Sequence, residues 1–173
     1  MDKPVIIEDY NPNWFKDFEQ EKRKLLNILN GKMITIEHIG STSVYGLDAK
    51  PILDIAVAVP NLDDVNGFIE PLKQIGYEFV NHIEFPERCF FRKGQWRAGT
   101  HHLHLYGIES ESWKNQLLFR NYLRKHPDVL KKYYQLKEEL AGRFRFDRVS
   151  YTEAKGPFIQ DVLKKAKEEI EQD

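Results

Sequence analysis

The sequence predicts a mixed α/β (α+β) fold, one sheet flanked by helices and closed on its C-terminal side by a helical layer, within a single domain over residues 1–173. Three observations lead there. Short alternating or uniformly apolar runs at 34–39, 52–59 and 102–106 read as strands, and amphipathic runs of helical spacing lie between them. From Ser112 onward the pattern is helical to the end, so strands and helices interleave first and helices cover them afterwards. With 41% hydrophobic and 31% charged residues, a chain of 173 residues can bury a core.

The elements follow in order. Val5, Ile6 and Ile7 read as a short strand. Asn11 before Pro12 is a helix start, a side-chain cap with proline in the first turn. Trp14, Phe18, Leu25, Ile28 and Leu29 recur at helical spacing until Asn30 and Gly31 end the helix. The alternating run 34–39 is a strand, and Pro51 permits a turn into 52–59. That second run is apolar on both faces except at Asp54, as expected of a central strand between helices. Asn61 opens a helix carrying Val65, Phe68, Ile69, Leu72 and Ile75 inward, and Gly76 ends it. Residues 77–80, 89–92 and 102–106 are further strands, the last two joined by a loop over 93–99. The helical part breaks near Pro127, around 146–150 and at Gly156-Pro157.

Composition excludes several classes of function. No apolar run approaches the roughly 20 residues that span a bilayer. The N-terminus lacks the basic and apolar stretches of a secretory signal, and the single cysteine, Cys89, rules out a disulfide framework and a cysteine-only zinc site. A cytoplasmic protein without membrane contact is expected. A net charge of −1 offers no basic excess and argues against a general nucleic-acid partner. Trp14, Trp96 and Trp113 form no stacking pattern for single strands, and Cys89 reads as a small buried hydrophobe.

Chemistry concentrates at Gly40-Ser41-Thr42-Ser43, a loop that follows one strand and opens a short helical turn. Backbone amides at such a turn, glycine for close approach and hydroxyls as extra donors form a phosphate site. A serine-capped turn would explain the loop alone, but Asp54 adds to it. A carboxylate isolated in an apolar strand needs a cation, a donor or a solvent-filled cleft.

The run from His38 through Val44, with Gly46-Leu47, Ala49-Lys50-Pro51-Ile52 and Asp54-Ile55, resembles the GrpB family, also called UPF0157. His102-Leu103-His104, residues 119–124, Tyr134, Leu136-Lys137, Leu140-Ala141, Lys155 and Phe158-Ile159 continue the resemblance along essentially the whole chain. The resemblance implies a mixed sheet of nucleotidyltransferase type. It also implies a link to dephospho-CoA kinase, to which this domain is fused in some members. The superfamily pattern is a Gly-Ser loop followed by a strand with two acids one residue apart, and a third acid from a later strand. Those acids hold Mg2+ or Mn2+ on nucleotide phosphates. Gly40 and Ser41 match the loop and Asp54 the first acid, whereas the second acid's place is taken by Ala56.

Strand alternation puts Thr100, His102, His104 and Tyr106 on one face and Leu103 and Leu105 on the other, so the two histidines look away from the core. Asp54, His102 and His104 then suggest a two-histidine, one-carboxylate metal site suited to Mn, Fe or Zn; hydrogen bonding of these histidines to phosphate, substrate or neighbours is the other reading. Lys50, beside Asp54, is the second candidate catalytic residue. Gly40, Ser41, Thr42, Ser43, Arg88, Arg120 and Lys155 are candidate phosphate ligands, with Arg92 and Arg124 as further cations. Glu37 and His38 stand where they can orient the loop. The leading expectation is a nucleotidyltransferase-like protein that binds a nucleotide or other phosphorylated small molecule, with or without metal-dependent transfer. The alternatives are a regulatory module that has lost transfer chemistry and a metal-dependent hydrolase.

Overall fold

The computed structural model describes residues 3–82, 85–95 and 98–173, so Trp96 lies outside the described residues. In chain order the elements are α1 (Asn13–Leu29), β1 (Thr35–Ile39), β2 (Leu53–Val59), α2 (Asn66–Gln74), β3 (Tyr77–Val80), β4 (Arg88–Gln95), β5 (Ala98–Gly107), α3 (Glu111–Lys125), α4 (Pro127–Arg143), α5 (Arg148–Ala154) and α6 (Gly156–Gln172). The five strands form one mixed sheet in the order β1-β2-β5-β4-β3. The β2–β5 pair is parallel and the others are antiparallel. The predicted α/β architecture is therefore present.

The two faces of the sheet carry different cores. Ile55, Val57 and Val59 of β2 and Leu103 and Leu105 of β5 meet Phe18, Leu25 and Leu29 of α1 and Phe68 and Leu72 of α2. This is the larger apolar layer, and the helical spacing of the α1 residues is what fills it. On the other face Ala56 and Ala58 pack with Ile39, Tyr106 and Trp113 under α3. Further from the sheet, α3, α4 and α6 pack around Leu123, Tyr133 and Phe158, with Val44 and Leu47 from the loop beyond β1. No helix among the described residues is long and apolar enough to cross a membrane.

Three expectations need correction. Residues 5–7 do not form a strand. Val5 instead donates its backbone N–H to Arg145 O at 2.7 Å and packs with Leu140 and Tyr151, and Glu8 makes an isolated bridge with Ala49. Three apolar residues are enough to bury an anchor but give too little ladder to join a sheet. The expected loop over 93–99 is largely hairpin, since β4 runs to Gln95 and β5 starts at Ala98. A bulge between Lys93 and Gly94, with Gly94 at φ +102°, lets the ladder continue through residues that read as polar loop. The break expected at 146–150 falls earlier, at 144–147, with Asp147 accepting from Ser150 N as the cap of α5. The remaining boundaries follow their punctuation. Asn11 Oδ1 accepts from Asn13 N, Asn30 and Gly31 turn at positive φ, and Asn61 caps a 3₁₀ turn that leads into α2.

Candidate functional site

The site begins with the β1–β2 register. Antiparallel pairing sets Ile39 opposite Asp54, so the first residue beyond β1, Gly40, lies against the Asp54 side chain. Gly40 adopts φ 70° and ψ −173°, and a Cβ there would sit 2.7 Å from Asp54 Oδ2. Both the dihedrals and the closeness require glycine. The chain then makes a 3₁₀ turn over Ser41–Ser43.

Several side chains brace this loop. Ser43 Oγ donates to Gly40 O at 2.5 Å. Thr42 Oγ1 and His38 Nε2 hydrogen-bond at 2.9 Å, and His38 stacks on Phe18. Burial is the chief reason the His38 imidazole is pulled down to about 4, with Arg124 and Arg120 adding to it against the opposing pull of Asp54, so the ring is neutral at ordinary pH. From α3, Arg120 Nη1 donates to Glu37 Oε2 at 2.7 Å and to His38 O at 2.9 Å. Arg124 donates twice to Ser43 O, at 3.1 and 2.7 Å. Spacing alone makes these two arginines candidate phosphate ligands, but here they hold the backbone of the loop.

Loop, sheet and C-terminal helices enclose a cleft of about 380 Å³. Gly40, Ser41, Thr42, Lys50, Asp54, His102, Arg120 and Lys155 line it, so eight of the residues singled out from sequence share one wall system. Ser43 is buried behind the loop, and neither Arg88 nor His104 lines the cleft. Arg92 pairs with Glu78 at 3.1 Å on the outer part of the sheet.

Opposite Asp54 stands a group of lysines that sequence spacing did not collect. Lys137 of α4 joins Lys50 and Lys155 in the lining, although its side chain is almost wholly buried. Lys137 Nζ donates to Asp48 O at 2.8 Å and lies 5.5 Å from the Tyr133 ring centroid. Lys50 and Lys155 both lie over Tyr151, at 5.2 and 4.7 Å. Among the described residues none of the three has a carboxylate at ion-pair distance. Burial, then mutual repulsion with Lys155 and Lys50, pulls Lys137 down to about 7. The same two causes bring Lys155 down to about 8, and Lys50 is also lowered, chiefly by burial. Tyr133 is pushed up to about 12 by burial, and the Tyr151 hydroxyl is buried without a hydrogen-bond partner among the described residues. The sequence signal for Lys137 is its place in the Leu136-Lys137 pair of the GrpB-like pattern. What hid its role is that it stands 87 positions after Lys50, with four strands and two helices between them.

Asp54 itself remains 30% exposed, toward the cleft. Burial would raise its carboxyl, but the hydrogen bonds from His102 and His104 lead the causes that outweigh it and hold it well below the usual carboxylate range. His104 Nε2 lies 3.2 Å and His102 Nδ1 3.4 Å from Oδ1. One donor atom from each of Asp54, His102 and His104 falls within 4.8 Å of the others, close enough for one ion. The chemistry of the donors is less accommodating, because His104 has Asp54 on one ring nitrogen and Arg88 Nη1 on the other, at 3.2 Å. A Zn or Fe ion held by all three residues does not fit this arrangement. A Mg2+ or Mn2+ arriving with phosphates and taking Asp54 as its protein ligand does. The position of the second acid is closed, since Ala56 is fully buried with Ile39, Tyr106 and Trp113.

The whole arrangement has close counterparts. The family model described as GrpB protein matches residues 4–165. The chain is 35% identical over 163 residues to the glutamate-rich protein GrpB of Alkalihalophilus pseudofirmus, covering 92% of this chain and 94% of that one. It is likewise 35% identical to the UPF0157 protein YqkA of Bacillus subtilis, over 95% of this chain but only 48% of YqkA, so it spans about half the length of that relative. A more distant match, at 27% identity, covers 94% of this chain and 46% of the dephospho-CoA kinase of Mycobacterium bovis. Among solved structures, conserved protein GrpB from Enterococcus faecalis superposes with TM-score 0.87 and 36% identity over 95% of this chain and 99% of that one. The Cid1 poly(U) polymerase superposes with TM-score 0.56 and 16% identity over 79% of this chain and 44% of Cid1, a likeness of fold. With the match of 4–165 and the near-complete overlap with two GrpB proteins, this chain belongs to the GrpB family.

Proposed function

We propose that the chain binds a phosphorylated small molecule in this cleft, a nucleoside triphosphate being the leading choice. The observation that carries the reading is the convergence of Lys50, Lys137 and Lys155, none with a carboxylate partner among the described residues, on the space facing Ser41 and Asp54. One buried and two half-buried like charges facing one another are costly alone, and a polyanion offsets that cost. In this reading Ser41 and the amides of its turn take one phosphate, and the lysines spread over the others. The cleft volume suits a small molecule. Asp54 would hold a Mg2+ or Mn2+ brought in with the phosphates, and that ion would supply charge neutralisation. The nucleotidyltransferase fold makes a nucleotide the first ligand to try, by analogy of architecture alone. Association with dephospho-CoA kinase activity and a cytoplasmic setting belong to the same proposal, the former on the likeness to the mycobacterial enzyme.

A binding or sensing role without transfer is favoured over nucleotidyl transfer by one observation, the sealed apolar packing around Ala56 where the second acid would stand. Thermal denaturation with each nucleoside triphosphate, with CoA precursors and with inorganic triphosphate, each with and without Mg2+, tests the binding. A ligand at 100 times its Kd adds about 2.7 kcal/mol, which moves the Tm of a chain this size by roughly 5–11 °C. Lys137→Met and Lys155→Met should abolish that shift. No shift with any of these anions would reject the reading, and turnover of labelled nucleotide lost in Asp54→Asn would replace binding with transfer.

A further inference from the structure

Chemistry at Asp54 depends on which nitrogen of the neighbouring His104 imidazole carries hydrogen, and one arginine decides it. A guanidinium can only donate and an ionised carboxylate can only accept. Arg88 directs Nη1 to His104 Nδ1 at 3.2 Å and Nη2 to His82 Nδ1 at 3.3 Å, so both Nδ1 atoms are acceptors and bear no hydrogen. The hydrogen of a neutral imidazole is then on Nε2, and His104 Nε2 lies 3.2 Å from Asp54 Oδ1. The relay has one direction, from Arg88 through His104 to Asp54.

The guanidinium is held for this task. It lies over Phe85 and Phe90, 5.0 and 5.2 Å from their centroids, and His82 stacks on Phe90 at 5.1 Å with planes 16° apart. The β4–β5 register sets Phe90 opposite His104, which brings the aromatic cage beside the imidazole. Arg88 is thus separated from the cleft by the histidine it orients, which explains why a residue expected to bind phosphate is not in the lining.

We propose that Arg88 is a positioning residue that fixes His104 as a hydrogen-bond donor to Asp54 and thereby removes it from the set of metal ligands. A metal-bound imidazole nitrogen has no hydrogen, and its other nitrogen carries one toward an acceptor. His104 has the reverse arrangement. The consequence falls on His102, whose Nδ1 approaches the same carboxylate oxygen at 3.4 Å. Donation there leaves His102 Nε2 as the cleft's imidazole lone pair, available to accept a hydrogen bond from a hydroxyl of the ligand. That role of His102 rests on the ligand-binding reading; the assignment of His104 does not.

Long-range proton–nitrogen correlation on protein labelled with ¹⁵N at histidine reads the tautomers directly, with His102→Gln and His104→Gln supplying assignments. The expected spectrum shows His104 protonated at Nε2 and bare at Nδ1, unchanged by titration with Zn2+. Arg88→Met keeps an apolar stem against Phe85 and Phe90 but removes the donor. In that variant His104 should bind through Nε2, and Zn2+ affinity should rise by roughly 10-fold, the low end of what outer partners of metal-binding imidazoles are worth. Hydrogen on His104 Nδ1 in the wild type, or Zn2+ coordination by His104 at equal affinity with and without Arg88, overturns the proposal. If Arg88→Met does not fold, the wild-type spectrum and Zn2+ titration decide the matter alone. Adding ATP to the same sample separates the two proposals. Unmoved cleft resonances would reject nucleotide binding, while the tautomer of His104 is read independently.

Discussion

Gly40→Ala is the sharpest perturbation the site offers, because one methyl group meets two separate obstacles. The backbone at φ 70° and ψ −173° lies in a region that is essentially restricted to glycine, and holding another residue there costs of order 1–3 kcal/mol. The new Cβ would also stand 2.7 Å from Asp54 Oδ2 and 3.0 Å from Asp54 Cβ. Asp54 has little room to withdraw, since Oδ1 is held by His104 and its backbone is paired with Ile39 on one side and His102 on the other. Taken together a loss of about 3 kcal/mol is expected, or roughly 6–12 °C in Tm. Urea and thermal denaturation read it, and triphosphate binding should disappear with it because the Ser41 turn must shift. A double-mutant cycle separates the obstacles. Asp54→Ala removes the Oδ2 contact but leaves the dihedral strain, so the pair should couple favourably by about 1 kcal/mol. A Gly40→Ala protein with wild-type stability, or with no coupling to Asp54, would show that the close approach of loop and strand is not what the geometry implies.

The lysines make pH an informative variable. Their values of about 7 for Lys137 and about 8 for Lys155 lie below the ordinary 10.5, so between those pH values the unfolded chain binds more protons than the folded one. Stability of the ligand-free protein should therefore rise with pH over that window, and Lys137→Met should flatten the rise in a series of urea melts. Triphosphate affinity, measured by calorimetry, should run the other way and weaken as pH climbs through 7 to 8, because neutral lysines lose their attraction. A third prediction concerns the opposite face of the sheet, where the buried Glu21 of α1 accepts from Lys93 at 2.8 Å and lies 3.8 Å from His101. Glu21→Ala leaves Lys93 without its carboxylate partner and should cost about 3 kcal/mol in urea denaturation, while leaving triphosphate affinity unchanged.

The sheet was legible because strands leave period-two or wholly apolar runs. β1, β2 and the inner part of β5 follow residues whose burial the pattern states directly, and Leu103 and Leu105 were enough to place His102 and His104 on the face away from the larger core. The outer end of the β4–β5 hairpin was not legible, since Lys93, Gly94 and Gln95 are polar and their pairing depends on a bulge. The loop and Asp54 were legible as a pair because a lone acid in an apolar strand is anomalous wherever the chain goes. Arginine roles were not. Arg88, Arg120 and Arg124 carry the charge expected of phosphate ligands, yet they are committed to His104, to Glu37 and His38, and to Ser43. Guanidinium groups satisfy carbonyls and imidazoles as readily as phosphates, and only tertiary placement decides which. Lys137 shows the converse, a helix residue whose place in the cleft is defined by two lysines that are distant in the chain.

Ala56 turns the question of activity into one of packing. If this position merely lacked an acid, Ala56→Asp would restore a pair of carboxylates on one strand face and, with Mg2+, some transfer. The structure argues otherwise. Ala56 is fully buried, enclosed by Ile39, Tyr106 and Trp113, and its β5 neighbour is His104, whose donor is already spent on Asp54. A carboxylate there would have no donor and would lie two residues from Asp54 on the same face, so it meets both desolvation and like-charge repulsion. A loss of at least 3 kcal/mol and no gain of nucleotidyl transfer are the expected outcomes, the first read by denaturation and the second with labelled triphosphates. Ala56→Ser, nearly the same size, should be far milder and so distinguishes charge burial from crowding. An Ala56→Asp protein that is stable and transfers nucleotide would mean that Trp113 and Tyr106 swing aside and that the face is an open metal site. Short of that result, the apolar seal at Ala56 and the Arg88–His104 relay point the same way: Asp54 is held as a single oriented anion among hydrogen-bond donors, facing lysines across the cleft.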